Sequence, residues 1–479
     1  MGEQRLVPDR LPEELTAMLG GYLSRQRWYA GKGEPASVTV QDQALVVADE
    51  LVGGRLLWAV VEADGDRYQL LVGERPVTEV GEHLRGHEDA LIGTAGDRAW
   101  YDAVVDSEMA IAFLHLASGG AEDASRARPL SVEQSNTSVV YDDRLILKLF
   151  RRLSGGENPD AEVTSALAAT GFSHVAAPLV RWRRNGADLA FGQQFLAGGT
   201  DGWALALTSL RDLYGSASTS GPYPPGASGG DFAAEAARLG QMTAEMHLAM
   251  ADAFGTSDET SHQWPSFVSV LEQQAELLVP ALVPAGAGLF RRLHQVRDPG
   301  PAVRAHGDYH LGQVMRTDAG WYVLDFEGEP NRPLEERLRP TSVLKDVAGM
   351  LRSLQYAPQF VLWERADSEL PVLDEAARAW QRRNCNAFLT GYYDCKGIEQ
   401  VLPPTPQDRE AVRVAFELDK ALYELGYERA YRPDWAAIPQ AALEHLLSSP
   451  AEELVAPPGK WGNEGEDDPE DDPGDAGQA

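Results

Sequence analysis

The chain has 479 residues, ordinary apolar and aromatic content, and a formal net charge of −31. So acidic a surface repels nucleic acid and anionic membranes, and neither is an expected partner. No apolar run approaches the roughly 20 residues of a membrane helix. The first eight residues lack a signal-peptide apolar core, and Cys385 and Cys395 are too few for a disulfide framework or a Cys-based zinc site. The cytoplasm is the expected compartment, and two or three domains the expected number.

Residues 9–24 place Leu15, Met18, Leu19 and Leu23 on one face of a short helix. The basic, aromatic turn Arg25–Gly33 follows, read as packing through Trp28 and Tyr29. Alternating runs at 37–40, 44–47, 56–62 and 68–72, punctuated by Gly53-Gly54 and Asp64-Gly65, predict a strand meander. Helix and meander form an N-terminal cap over residues 1–95. A helix near 106–117 leads to a predicted hairpin, Ser138–Tyr141 and Leu145–Phe150, with Asp142-Asp143 at its tip. At its start, Ser135, Asn136, Thr137 and Ser138 are small polar residues that let backbone N–H groups approach phosphate oxygens. Lys148, between Leu147 and Leu149, needs a partner, and Glu162, in the first turn of a helix begun by Pro159, is the expected acid. A strand over 189–196 ends where an inter-lobe hinge would fall, with backbone near Gln194 and Leu196 for adenine. Residues 96–200 complete this N-lobe.

Residues 214–230 read as a Gly/Ser/Pro-rich surface loop. Helices follow from Asp231, with His247 as a structural histidine. Then comes His306-Gly-Asp-Tyr-His-Leu-Gly-Gln313, a loop, and Trp321–Leu324, a strand ending at Asp325. The spacing suits phosphoryl transfer. Asp308 takes the place of the carboxylate that orients and deprotonates a hydroxyl; Gln313, five residues on, and Asp325 offer oxygens to Mg²⁺. Protein kinases use H-R-D-x-x-x-x-N and D-F-G in this way, here replaced by His-Gly-Asp…Gln and Asp325-Phe-Glu327. Further helices are predicted over 344–354, 376–392 and 408–427. Asp346 is a candidate for the loop backbone or a substrate hydroxyl. Glu417, Lys420 and Glu424 form one polar line beside Tyr423 and Tyr427, read either as sugar recognition or as a solvated face. Residues 201–455 make the C-lobe, and the acidic run 456–479 a disordered tail.

Lys148, Glu162, His306–Gln313 and Asp325–Glu327 resemble the aminoglycoside-phosphotransferase-like kinases. Arg27–Lys32, Glu133–Ser138, Thr200–Trp203, Thr243–Leu248, Asp325–Pro330, Lys345–Ser353 and Phe416–Glu424 look like bacterial maltokinases. The resemblance implies an α+β, two-lobed protein-kinase-like fold with a β-rich cap and a mostly helical C-lobe. It implies ATP and Mg²⁺ as cofactors and phosphorylation of maltose to maltose 1-phosphate for α-glucan (glycogen) synthesis. His310, Asp346, Tyr423 and Glu424 are the expected sugar contacts, in a monomer or weak dimer. Residues 354–359 and 425–427 depart from the maltokinase pattern, and similar actinobacterial proteins look like kinases making glucosamine 6-phosphate. An amino sugar would need an unpaired acid beside its ammonium. A non-catalytic, kinase-like regulator is the reading from another class, opposed by the presence of every acid and the lysine.

Overall fold

Turn chemistry sets the register of the N-terminal half. Asp64 and Gly65 (φ 51° and 84°), Asp142 and Asp143 (51° and 50°), and Asn185 and Gly186 (50° and 80°) each place two successive left-handed residues at a hairpin tip. That geometry matches strand twist, and Asp, Asn and Gly tolerate it best. The molecule, seen here as a computed structural model, is described for residues 6–449 apart from 32, 34, 36, 50–53, 131–135, 154, 221–230, 330–331, 364 and 366–369. The expected acidic tail therefore lies outside the described residues. The chain divides into two compact units, Met1–Gly199 and Thr200–Ala479.

In the first unit α1 (Glu13–Leu23) precedes β1 (Val38–Asp49), β2 (Gly54–Ala63) and β3 (Asp66–Pro76). Then come α2 (Val77–His83), β4 (Leu91–Ala95), β5 (Arg98–Asp102) and α3 (Ser107–Ala117). The strands form one antiparallel sheet in the order β1-β2-β3-β5-β4. Leu15, Leu19 and Leu23 of α1 join Leu57, Val61 and Leu70 in its core, with Trp28 and Tyr29. The basic turn thus packs through its aromatics, as expected. The cap boundary expected at residue 95 falls inside the β4–β5 hairpin, because β5 pairs with β3 and belongs to the same sheet.

A second antiparallel sheet follows, of β6 (Ala127–Pro129), β7 (Asn136–Tyr141), β8 (Leu145–Phe150), β9 (Pro178–Arg184) and β10 (Ala187–Gln194), in the order β6-β7-β8-β10-β9. Helix α4 (Pro159–Thr170) lies between β8 and β9 in sequence. Buried polar contacts join the two sheets. The Gln69 amide donates to the carbonyls of Phe150 (3.0 Å) and Leu189 (2.8 Å) and accepts from the Trp58 indole (2.8 Å). Arg151 donates to Asp102 (2.5 Å) and to the Thr137 hydroxyl (2.9 Å), with its guanidinium over Trp28. Each ties a cap residue to the strands around Lys148.

The second unit opens with β11 (Thr200–Asp201), α5 (Gly202–Ser220), α6 (Ala233–Phe254), β12 (Thr256–Ser257), α7 (Glu259–Leu278), α8 (Val283–His294) and β13 (Ala302–Val303). The short strands β14 (Val314–Thr317) and β15 (Gly320–Val323) follow, then α9 (Leu334–Leu338), α10 (Leu344–Leu362), α11 (Leu370–Tyr393), α12 (Pro406–Tyr431) and α13 (Ala437–Ser448). Helix α5 runs through Ser220, so the stretch read as a surface loop is helical in its first part. Helices α6 and α11 meet almost backbone to backbone. A Cβ on Gly240 would lie 2.0 Å from the Phe388 carbonyl oxygen, and one on Gly391 2.0 Å from that of Ala237. Among the described residues no helix is long and apolar enough to cross a membrane.

Candidate active site

In the first unit, Ser138 lies opposite Lys148 and Asn136 opposite Phe150, so these side chains share a face of the sheet. Leu147 and Leu149 point the other way into the core. The Lys148 ammonium sits 2.9 Å from Asp160 Oδ2. Asp160 is thus an acid on Lys148 that the sequence reading, which named Glu162, did not name. Asn158 caps α4 and Pro159 starts it, so Asp160 falls in the first turn and is 1 % exposed. Glu162 lies about 200° further around the helix.

Strand β7 starts two residues before the expected Ser138, so Asn136 and Thr137 belong to it rather than to a loop before it, and Asn136, Thr137 and Ser138 are buried. The Thr137 hydroxyl is engaged by Arg151. Ser135 lies outside the described residues. At the end of β10, the Gln194 N–H donates to the Ala177 carbonyl (2.9 Å), and the Leu196 carbonyl accepts the Gly199 N–H (3.2 Å).

In the second unit a loop is built around Asp308. Gly307 turns the chain at φ +87°, a conformation that favours glycine. Asp346, buried near the start of α10, accepts the N–H groups of His306 (2.7 Å) and Gly307 (2.9 Å). His247 Nε2 stands 3.3 Å from the same carboxylate, and its Nδ1 is bonded to the Tyr392 hydroxyl at 2.9 Å. Burial pushes the Asp346 carboxyl up, but the His247 hydrogen bond, the charges of His247 and His306, and the Gly307 N–H together hold it below the ordinary range. Asp346 therefore holds the loop backbone, the first of the two roles expected of it. His247 is structural, as read.

The loop is tied at three more points. His306 Nε2 bonds the Leu324 carbonyl (2.9 Å), which can only accept, so Nε2 carries the proton and Nδ1 receives the Asp308 N–H at 3.4 Å. The Tyr309 hydroxyl bonds Thr243 (2.8 Å), and the Leu311 N–H reaches Ser353 (3.2 Å). His310 accepts the Gly312 N–H at Nδ1 (3.0 Å) and brings Nε2 within 3.9 Å of Asp308. Burial lowers the His310 pKa, which favours the neutral ring. Strands β14 and β15 return the chain so that the Gln313 amide lies 3.5 Å from Asp325, whose backbone sits at φ 61°.

Two residues near Asp308, Glu329 and Asp419, went unread in the sequence, and Lys420 was read only as part of a polar line. Lys420 of α12 lies 3.4 Å from Asp308 Oδ1 and 2.9 Å from Glu329 Oε1. Burial raises the Glu329 carboxyl, but Lys420, Lys345 and Arg332 outweigh it and bring its pKa to about 2. Asp419 lines the same depression, and among the described residues no hydrogen bond or ion pair reaches its side chain. Burial, reinforced by the charge of Glu329, raises the Asp419 pKa despite Arg332, Lys345 and Lys420 nearby. A cavity of about 210 Å³ adjoins the depression and shares Gly307, Glu329, Arg332, Lys345, Phe416 and Asp419 with it; Trp264 and Phe267 join Phe416 in its aromatic wall. Tyr423 belongs to this region, 5.3 Å from the Lys420 ammonium. Glu424, expected as a sugar contact, has its carboxylate held by Arg352 at 2.6 Å. The polar line of α12 is not a solvated face, since Glu417 and Glu424 bond Gln355 and Arg352 of α10 and Lys420 turns to Asp308. All three lie in stretches used for the family resemblance, where motif identity carried no information on side-chain direction.

A strand lysine held by a helix acid and a His-Gly-Asp loop followed by Gln and Asp define a kinase-like phosphotransferase. Residues 126–385 match the phosphotransferase enzyme family, and residues 22–106 the maltokinase N-terminal cap domain. The chain belongs to the phosphotransferase enzyme family, and the cap read from the sequence is present. It is 28% identical over 69% of its length to a glucosamine kinase of Mycolicibacterium smegmatis, covering 82% of that protein. It is 29% identical over 70% of its length to the glucosamine kinase of Streptacidiphilus jiangxiensis, covering 77% of it. The structure of a glucosamine kinase in complex with glucosamine, ADP and inorganic phosphate superposes with a TM-score of 0.60 at 22% identity. That match spans 89% of this chain and 99% of the other, and establishes the shared fold.

Proposed function

We propose that the chain is an ATP- and Mg²⁺-dependent carbohydrate kinase whose acceptor is an amino sugar, converting glucosamine to glucosamine 6-phosphate. The observation that carries this is Asp419, a carboxylate without a partner among the described residues, lining the cavity that adjoins Asp308. An ammonium placed there offsets the cost of burying its charge. The cavity of about 210 Å³ is below the usual range of drug-sized ligand sites and suits one sugar ring better than two. The named relatives, both glucosamine kinases, agree with this reading.

In the reaction Asp308 accepts the proton of the sugar hydroxyl as the bond from its oxygen to the γ-phosphorus forms. The bond from that phosphorus to the β-phosphate bridging oxygen breaks, and ADP leaves. Lys148, steadied by Asp160, orients the α- and β-phosphates. Gln313 and Asp325 fit Mg²⁺, since an amide oxygen and a carboxylate are the hard donors it takes, and bound Mg²⁺ neutralises phosphate charge. Lys420 holds Asp308 and Glu329 in place. Because the transition state is loose, positioning and charge outweigh base strength. Asp308→Asn is expected to abolish turnover.

A second reading, maltose to maltose 1-phosphate, is favoured by the match of residues 22–106 to the maltokinase cap. Glucosamine and glucose kinetics on wild type and Asp419→Asn distinguish the roles. The variant is expected to raise KM for glucosamine about tenfold or more, the worth of a charged hydrogen bond, and to leave glucose nearly unchanged. Equal effects on both sugars would remove Asp419 from ammonium recognition.

A further inference from the structure

Among the described residues Lys420 is the only lysine or arginine that bonds Asp308. Its ammonium has three N–H donors. One goes to Glu329 Oε1 at 2.9 Å and one to Asp308 Oδ1 at 3.4 Å. The third meets no hydrogen-bond acceptor among the described residues, although Lys420 lines the depression beside Asp308.

The two bond lengths bear on what the ammonium is for. A lysine that only steadied Asp308 would make its short bond there. Here the short bond goes to Glu329, whose other oxygen is held by Arg332 at 2.6 Å. Glu329 therefore anchors the ammonium and leaves Asp308 most of its charge. Burial disfavours the charged lysine, but Glu329 and Asp308 outweigh it and raise its pKa above the ordinary value, so it stays protonated at neutral pH.

A cation beside a base weakens the base. For proton abstraction alone the arrangement is a loss. For transfer through a loose transition state base strength counts for little, while charge matched to the phosphoryl oxygens counts for much. Asp308 Oδ2 is the oxygen left for the acceptor hydroxyl, with His310 Nε2 standing off at 3.9 Å. A hydroxyl bonded there lies about 2.7 Å away, and phosphorus at the moment of attack about 3–3.5 Å further on. Phosphoryl oxygens then pass within roughly 4–6 Å of the carboxylate, on whose other oxygen the Lys420 ammonium sits.

We propose that Lys420 is a catalytic residue in its own right, whose third N–H donates to an oxygen of the phosphoryl group in flight. The proposal rests on the kinase reading of Asp308 and not on which sugar is the acceptor. In the step the hydroxyl proton passes to Asp308, the bond from the sugar oxygen to phosphorus forms, and the bond to the ADP oxygen breaks. Lys420 keeps its proton throughout.

The test asks whether Lys420 acts on the phosphoryl group or only through Asp308. Aluminium fluoride with Mg-ADP and glucosamine or maltose, whichever wild type turns over, mimics the group in flight. Its affinity is measured by calorimetry in Asp308→Asn and in Asp308→Asn/Lys420→Met. With the base already removed, a residue acting only through it has nothing left to lose. The Met substitution is expected to weaken the complex about a hundredfold, and Mg-ADP alone by less than about twofold. Because Lys420→Met leaves Glu329 charged without this partner, the comparison is repeated with Glu329→Gln in both proteins, which removes that source of misfolding. Single-turnover transfer by Lys420→Met in the otherwise wild-type chain should also fall about a hundredfold, with KM for the sugar held within about threefold. Equal analogue affinity in the two Asp308→Asn proteins overturns the proposal. So does a loss produced by Lys345→Met, a lysine lining the same depression, and not by Lys420→Met. Wild type that turns over neither sugar overturns the kinase reading itself, an outcome distinct from both.

Discussion

Asp346→Asn isolates the device that shapes the catalytic loop. The side chain keeps its size but exchanges one oxygen for an NH₂ group. Turned so that the NH₂ faces Gly307, it still accepts from His306 and His247, the contacts made by Oδ2, and loses the 2.9 Å bond to the Gly307 N–H. Turned the other way it loses both of those instead, so the first orientation is preferred. The cost combines a hydrogen bond to a charged acceptor, about 1.5–3 kcal/mol, with a buried donor left unsatisfied, about 1–3 kcal/mol. A total of roughly 3–5 kcal/mol lowers Tm by on the order of 10 °C in a unit of this size. Gly307 immediately precedes Asp308, so even half of that expressed as misplacement lowers kcat by about tenfold to a hundredfold. Lys148 and Asp160 belong to the other unit, and ADP affinity is expected to change little. Thermal unfolding, single-turnover phosphoryl transfer and ADP calorimetry on the variant give the three readouts. Melting within about 2 °C of wild type with kcat within about twofold would refute the reasoning, since two such losses cannot cost less than roughly 1 kcal/mol.

Glu329, brought from an ordinary 4.5 to about 2, contributes roughly 3 kcal/mol of stability at neutral pH. Its folded pKa is lowered, so this contribution is full above about pH 4.5 and fades as pH falls toward about 2. The urea-stability gap between wild type and Glu329→Gln should therefore be widest at neutral pH and close on acidification; a gap constant with pH would contradict it. Asp419 has the opposite sign: its raised pKa means the fold penalises the ionised form. Asp419→Asn should raise Tm at pH 7 and lose that gain below about pH 4, measured by thermal melts across pH. Asp160→Asn should raise KM for ATP about tenfold without altering KM for the sugar, the mark of a residue acting through Lys148.

Local chemistry was readable wherever a short stretch sufficed. The Asp142-Asp143 tip, the strand carrying Lys148, the Asp308 loop with Gln313 and Asp325, and the structural role of His247 all came from patterns within a few residues. What failed depended on direction in space. Asp160 shares the first turn of α4 with Glu162, and only the fold shows that the Asp160 carboxylate reaches Lys148. Lys420 and Glu424 share a helical stripe, yet one reaches the catalytic loop and the other Arg352 of α10. The bond from Arg151, just past β8, to the Thr137 hydroxyl likewise joins residues that the sequence sets fourteen apart. Asp419 was invisible because an acid without a partner is recognised only once every neighbour is known.

The measurement bearing most directly on the central claim is ADP release with Mg-ATP on glucosamine, maltose, glucose and trehalose, using wild type and Asp308→Asn. The account expects turnover with glucosamine well above the other sugars, and none by Asp308→Asn. Turnover of maltose without glucosamine would keep the phosphotransferase chemistry and contradict the amino-sugar assignment, while substantial activity in Asp308→Asn would contradict the mechanism itself.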